Sequence, residues 1–136
     1  MAKCSPNCGN FTGSSGKVWF KIAEDGANPQ WATQQMHNDK FRWNVTIPAC
    51  LTPGQYLVRH EIVQTDSCAT KGKCHQFINC VQVDVRGGGS KNPPSSAKIA
   101  IPGGIKVEDP GIWWDVYKQN KTTYLGPGPR AWKCPA

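Results

Sequence analysis

The sequence contains no apolar run close to the roughly 18 residues that span a bilayer, so no membrane partner is expected. No apolar stretch follows Met1, and no signal peptide is recognisable at this start. Basic residues never stand side by side: the 16 Lys and Arg are scattered among 9 Asp and Glu. The net charge of +7 therefore reads as a basic surface, without the clustered stripe of a nucleic-acid binder. Internal repeats are missing, as is any stretch of helical period. The two-residue Cys gap of common zinc knuckles is missing too. Cys4 and Cys8 are separated by three residues and Cys68 and Cys74 by five, and only His75 stands near a Cys pair.

What the chain does have is cysteine, 7 in 136 residues, an odd number that leaves one without an internal partner. It also has three sequons, at Asn10, Asn44 and Asn120, each followed two residues later by Thr. Together these favour a secreted, disulfide-bonded, glycosylated domain over a zinc site. A secreted chain without a signal peptide implies a true start upstream of Met1.

The length suits one domain over residues 1–136. Val18, Phe20 and Ile22 alternate with Lys17, Trp19 and Lys21, the period of a half-buried strand. Trp43, Val45 and Ile47 alternate again, residues 55–63 form a β-rich run, and residues 76–86 carry Val81, Val83 and Val85 on one face. Further strands are expected at Lys98–Ile101 and Ile112–Lys118. Five to seven short strands with Gly/Pro turns predict an all-β protein, an antiparallel immunoglobulin- or fibronectin-III-like β-sandwich. Pro127, Pro129 and Pro135 exclude a final strand, so the C-terminal stretch is expected to wrap the sandwich as an extended segment held by Cys134.

Five segments in order carry a resemblance: Trp43-Asn44-Val45-Thr46-Ile47-Pro48, Pro53 through Ile62, Cys80-Val81-Gln82-Val83-Asp84-Val85, Asp109-Pro110-Gly111-Ile112, and Gly126-Pro127-Gly128-Pro129. In this arrangement the chain resembles the C-terminal part of the fungal lytic polysaccharide monooxygenases of auxiliary-activity family nine, formerly glycoside hydrolase family sixty-one. The resemblance implies a secreted β-sandwich with a flat face for cellulose or a related β-glucan. It also implies one copper, held by the amino group and imidazole of an N-terminal His and by an inner His. A Tyr lies axial to the metal, a His and a Gln stand beside it, and the oxidant attacks C1 or C4 of the glycosidic link. Imidazole and amine nitrogens suit copper.

The departures are as specific as the match. Met1-Ala2-Lys3-Cys4 resembles an internal segment that follows the inner His, so the sandwich is expected to be incomplete at its N-terminal side. Both copper-binding histidines would then precede Met1, and none of His37, His60 and His75 matches them. Copper is expected for the full-length family and no metal for this chain, which is expected to be inactive alone. Counting back from Cys80 without a gap puts Phe77 at the axial Tyr position and His75 at the Gln position. With a one-residue deletion, Gln76 takes the Gln position instead. The neighbouring His slot falls on Asp66. Tyr124 occupies the place of a flat-face, substrate-binding Tyr, with burial beneath the final loop as the alternative. Of the adjacent Trp113 and Trp114, one could be exposed. The family's disulfides imply Cys4–Cys8, Cys50–Cys134 tying down the C-terminal segment, Cys68–Cys74 closing an inserted loop, and Cys80 bonded to a Cys in the missing N-terminal portion, which leaves Cys80 unpaired here in a buried strand. The rival reading is a non-catalytic extracellular β-sandwich that binds polysaccharide or a partner protein.

Overall fold

The computed structural model describes residues 1–135. Its main feature is a long antiparallel hairpin, β3 (Gly54–Gln64) and β4 (His75–Val85), built from β-branched and aromatic residues that fit a pleated surface. Eleven cross-strand pairs run without a slip from Gly54 opposite Val85 to Gln64 opposite His75. The two-residue strand β1 (Ala2–Lys3) lies on the other side of β3, with Ala2 opposite Leu57. Beyond it come β2 (Lys17–Phe20) and β5 (Lys98–Ala100). The five strands form one sheet in the order β4-β3-β1-β2-β5, with β4 and β5 at its edges. No helix among the described residues is long and apolar enough to cross a membrane.

One sheet face carries the core of Met1, Phe20, Leu51 and Tyr56, against which Ile47, Val83, Val85 and Trp132 pack. Phe20 meets Tyr56 and Trp132 edge-on, with ring centroids 6.4 Å and 6.0 Å apart. Tyr56 is fully buried, and its hydroxyl donates to the Thr52 carbonyl at 2.7 Å. Fully burying Leu51 contributes on the order of 2 kcal/mol. Irregular segments supply much of this layer. Trp132 bonds through its backbone N–H to the Lys21 carbonyl at 2.8 Å, and Cys134 is disulfide-bonded to Cys50, so the C-terminal segment wraps the sheet as expected. On the opposite face Trp19 is buried under the 4–16 loop, its indole N–H donating to the Gly13 carbonyl at 2.6 Å. The Cys4–Cys8 disulfide closes that loop.

Four expectations need correction. A short helix, α1 (Ala32–Asn38), exists where no helical period was legible. Seven residues make two turns, too few for a periodic pattern to emerge. Residues 43–47 form no strand, and Trp43 and Val45 are 37% and 44% exposed. Alternation is insufficient when no neighbouring strand pairs with the backbone. Ile112–Lys118 forms turns instead of a strand, because the Asp109 carbonyl accepts from Ile112 and Trp113 N–H, and the Asp115 carboxylate accepts from Tyr117 N–H. Such local Asp bonds compete with strand pairing. Finally, Cys80 is exposed instead of buried, since β4 is the outermost strand and nothing packs over that position.

Candidate functional site

Strand alternation and register place the sequence-predicted residues on the β3–β4 hairpin. Paired residues in an antiparallel ladder share a face, and the face alternates along each strand. His60 sits opposite Asn79, Ile62 opposite Phe77, and Gln64 opposite His75. His60, His75 and Phe77 therefore share the core-side face, whereas Gln76, opposite Val63, lies on the other. His75 and His60 are both exposed and four register positions apart, roughly 13 Å along the strands. That spacing prevents them from chelating one ion. His37 lies on α1 with its ring against Phe41, at 5.1 Å between centroids. Among the described residues no three His, Cys, Asp or Glu side chains converge as a metal site. The donor set present does not fit a copper held by three nitrogens. Asp66 caps a short 3-10 turn, accepting from the Ser67 N–H at 2.9 Å.

Phe77, at the expected axial position, is 58% exposed. It lines the rim of an open apolar groove of about 770 Å³, whose walls include Phe20, Trp43, Val58, Ile62 and Ile99. The groove lies between the far end of the hairpin and the segments around α1. The sheet's apolar face is thus covered near Tyr56 and bare near Phe77.

Tyr124 is 8% exposed, which matches the alternative of burial beneath the final loop and not the flat-face ring. Its ring lies 4.9 Å from Trp114 and 5.9 Å from Trp31, and its hydroxyl donates to the Gly111 carbonyl at 2.9 Å. Burial, with the Asp109 and Glu24 carboxylates adding to it, pushes the phenol well above its ordinary pKa. Asp109 bonds Gly111 N–H at 2.8 Å and Gly128 N–H at 3.0 Å. A side chain at Gly111 would collide with the backbone of Pro127. The Asp109-Pro110-Gly111 and Gly126-Pro127-Gly128-Pro129 segments are therefore one packed unit, with Tyr124 beneath it.

The exposed aromatics are elsewhere. Trp114 is buried and Trp113 is 49% exposed, so one of the adjacent pair does face solvent. The Lys71 ammonium lies 5.1 Å from the Trp113 ring centroid and pairs with Glu108 at 2.9 Å, which holds that carboxyl below its usual range. Tyr117 is 77% exposed, a position the sequence reading did not single out because nothing in its neighbours distinguishes it from Trp114. Rings of this kind offer flat apolar surface with a polar edge. Asn10, Asn44 and Asn120 are all exposed, as a glycan acceptor must be. The disulfides are Cys4–Cys8, Cys50–Cys134 and Cys68–Cys74, with Cα separations of 4.9, 5.7 and 3.9 Å, and Cys80 is free.

A family profile described as Auxiliary Activity family 9 (formerly GH61) matches residues 1–124. The chain is 43% identical over 117 residues to AA9 family lytic polysaccharide monooxygenase A of Gloeophyllum trabeum, covering 85% of this chain and 36% of that protein. It is 37% identical over 134 residues to AA9 family lytic polysaccharide monooxygenase B of Malbranchea cinnamomea, covering 97% of this chain and 53% of that protein. Among solved structures, Cel61B of Hypocrea jecorina, a glycoside hydrolase family 61 member, superposes with a TM-score of 0.84 at 33% identity, over 96% of this chain and 57% of that one. HiLPMO9B superposes with a TM-score of 0.81 at 30% identity, over 98% of this chain and 60% of that one. The fold in common is the immunoglobulin-like β-sandwich expected from the sequence. The chain spans about a third to a half of the length of these curated relatives.

Proposed function

The chain belongs to auxiliary-activity family nine, and on that footing we propose that it forms part of a secreted, copper-dependent lytic polysaccharide monooxygenase that cleaves cellulose or a related β-glucan oxidatively at C1, C4 or both. Its share of that enzyme is one sandwich domain, residues 1–136, and not the oxidising centre. The supporting observation is the β3–β4 register, which holds His60 and His75 four positions apart and leaves His37 on a separate helix. Tight copper binding needs several nitrogens preorganised in one geometry. Three intrachain disulfides and three exposed sequons accord with an oxidising, extracellular setting.

A second reading, a polysaccharide-binding sandwich without catalysis, draws on the exposed Trp113 and Tyr117. The test separates the two. The 136-residue chain, titrated with copper, is expected to take up no stoichiometric tightly bound ion by calorimetry or electron paramagnetic resonance. With copper and ascorbate it is expected to release no oxidised oligosaccharides from cellulose. Release of C1- or C4-oxidised products by this chain alone would overturn the assignment of its residues. Pull-down on cellulose that Trp113→Ala abolishes would favour the second reading.

A further inference from the structure

We propose that Tyr117 is the platform for an N-linked glycan on Asn120: the first N-acetylglucosamine, bonded to the Asn120 side-chain nitrogen, lies on the Tyr117 ring and stabilises the loops of residues 109–128. This rests on the secreted reading above, since only a chain entering the secretory route meets the sugar donor. Tyr117 is 77% exposed, the most exposed large apolar side chain among the described residues. An uncovered sheet does not explain it. Tyr117 belongs to the loops closed by Asp109, whose carboxylate bonds Gly111 and Gly128, and Trp114 three residues before it packs against Tyr124 in the same unit. The segment turns tightly about Asp115. The Asp115 carbonyl accepts from Lys118 N–H at 3.2 Å and Gln119 N–H at 2.9 Å, and its carboxylate accepts from Tyr117 N–H at 3.0 Å. The backbone is thus held while the ring stays bare.

Asn120 stands three residues after Tyr117, in the sequon Asn120-Lys121-Thr122, and is exposed. Its Oδ1 accepts from Thr122 N–H at 3.1 Å and from the Thr122 hydroxyl at 2.9 Å. A backbone N–H can only donate, which fixes that atom as the oxygen and leaves Nδ2, the atom that takes the sugar, outside both bonds. Three residues span at most about 10 Å when extended, and this segment is folded, so a Tyr side chain and one pyranose bridge the gap. A pyranose has a face of C–H bonds, and laying it on an aromatic ring removes apolar surface of both from water. The other sequons lack such a platform. Asn10 has Asn7 three residues before it, and Asn44 has Phe41, whose ring already packs edge-on against His37 at 5.1 Å. The donor is a lipid-linked oligosaccharyl diphosphate. Nδ2 bonds to C1 of the first sugar as the C1–O bond to diphosphate breaks. The lipid diphosphate leaves with the electron pair, and Nδ2 gives one proton to a basic group of the transferring enzyme.

The test chain carries Asn10→Gln and Asn44→Gln, which leaves one sequon. It is secreted behind a host leader from a eukaryotic cell and trimmed enzymatically to one N-acetylglucosamine; the same chain from a bacterial periplasm carries no sugar. Peptide mapping is expected to find the sugar on Asn120. The sugar should raise the melting temperature by about 3 °C, the scale of one aromatic contact in a domain of this size. Tyr117→Ala should cut that gain to below about 1 °C, and Tyr117→Phe should keep it. The acetamido methyl resonance should lie upfield in the parent, where the ring shields it, and lose that shift in Tyr117→Ala. Circular dichroism and the three disulfides should be the same in every form. Because the leader supplies secretion, failure here is distinct from failure of the secreted reading, which localisation of the natural protein reads. A bare Asn120 would overturn the proposal, and so would an equal gain in the parent and Tyr117→Ala. A Tyr117 resonance that moves when cellohexaose is added to the glycosylated chain would overturn it too, by giving the ring to a substrate sugar.

Discussion

The carboxylate of Asp109 accepts a hydrogen bond from the backbone N–H of Gly128 at 3.0 Å, across nineteen residues of irregular chain. Its other oxygen accepts from Gly111 N–H at 2.8 Å, so one side chain joins two loops that neither helix nor sheet connects. The unit it closes holds Tyr124 against Trp114 and Trp31.

Asp109→Ala should therefore unfold at lower denaturant concentration than the parent chain. Two partly buried N–H groups lose a charged acceptor, and bonds of that type contribute about 1.5–3 kcal/mol each, so a loss of roughly 3 kcal/mol is expected. Asp109→Asn keeps one carbonyl acceptor and should fall between. Urea titration followed by tryptophan fluorescence reads the effect, and a change below about 0.5 kcal/mol for the Ala variant would contradict it.

Alkaline pH should destabilise the chain partly through Tyr124. An unfolded phenol titrates near pH 10, whereas the buried one is held above that value in the folded state. Above pH 10 the unfolded chain gives up a proton that the folded chain retains, so this contribution is present below pH 10 and lost as pH rises past it. Tyr124→Phe removes the titrating group. The difference in unfolding free energy between parent and variant should stay level to pH 9 and then shrink by pH 11. A difference independent of pH would show that the folded phenol is not held above its unfolded value.

Among the three disulfides, Cys50–Cys134 closes the longest loop, with a sequence separation of 84 against 4 for Cys4–Cys8. If unfolded-chain entropy dominates, removing it should cost about 4.5 kcal/mol, against about 2 kcal/mol for the short loop. Paired Ser substitutions compared by thermal melting provide the test. A larger loss from the Cys4–Cys8 pair would reverse the ranking.

After α1 the chain turns through Lys40 and Phe41, both left-handed with φ of 54° and 60°. The Phe41 N–H closes the helix by donating to the Met36 carbonyl at 2.8 Å. A side chain in that conformation costs about 1–2 kcal/mol, part of which glycine returns as unfolded-state freedom. Lys40→Gly should raise stability by roughly 0.5–1 kcal/mol, and Lys40→Ala should give no gain. Equal melting temperatures for the two variants would refute the strain argument.

The sequence by itself determined the strands of the β3–β4 hairpin, the odd cysteine and the family motifs. Each is a local signal: alternation in residues 55–63 and 76–86, parity, or a short fixed string such as Asp109-Pro110-Gly111. The disulfide partners followed from the resemblance, which carries long-range information that spacing lacks. Tertiary structure alone decided which apolar positions are covered. Tyr124 and Phe77 read alike as aromatics on a β-rich chain, yet one is sealed under the Asp109–Gly128 unit and the other lies at the open end of the sheet. Cys80 reads as buried because it stands in a β-rich strand, but β4 stands at the edge, and edge position is a property of strand order. The same holds for the histidines. Their residue type suggests a metal site, while an eleven-pair register keeps His60 and His75 apart, and register is set by which strands meet.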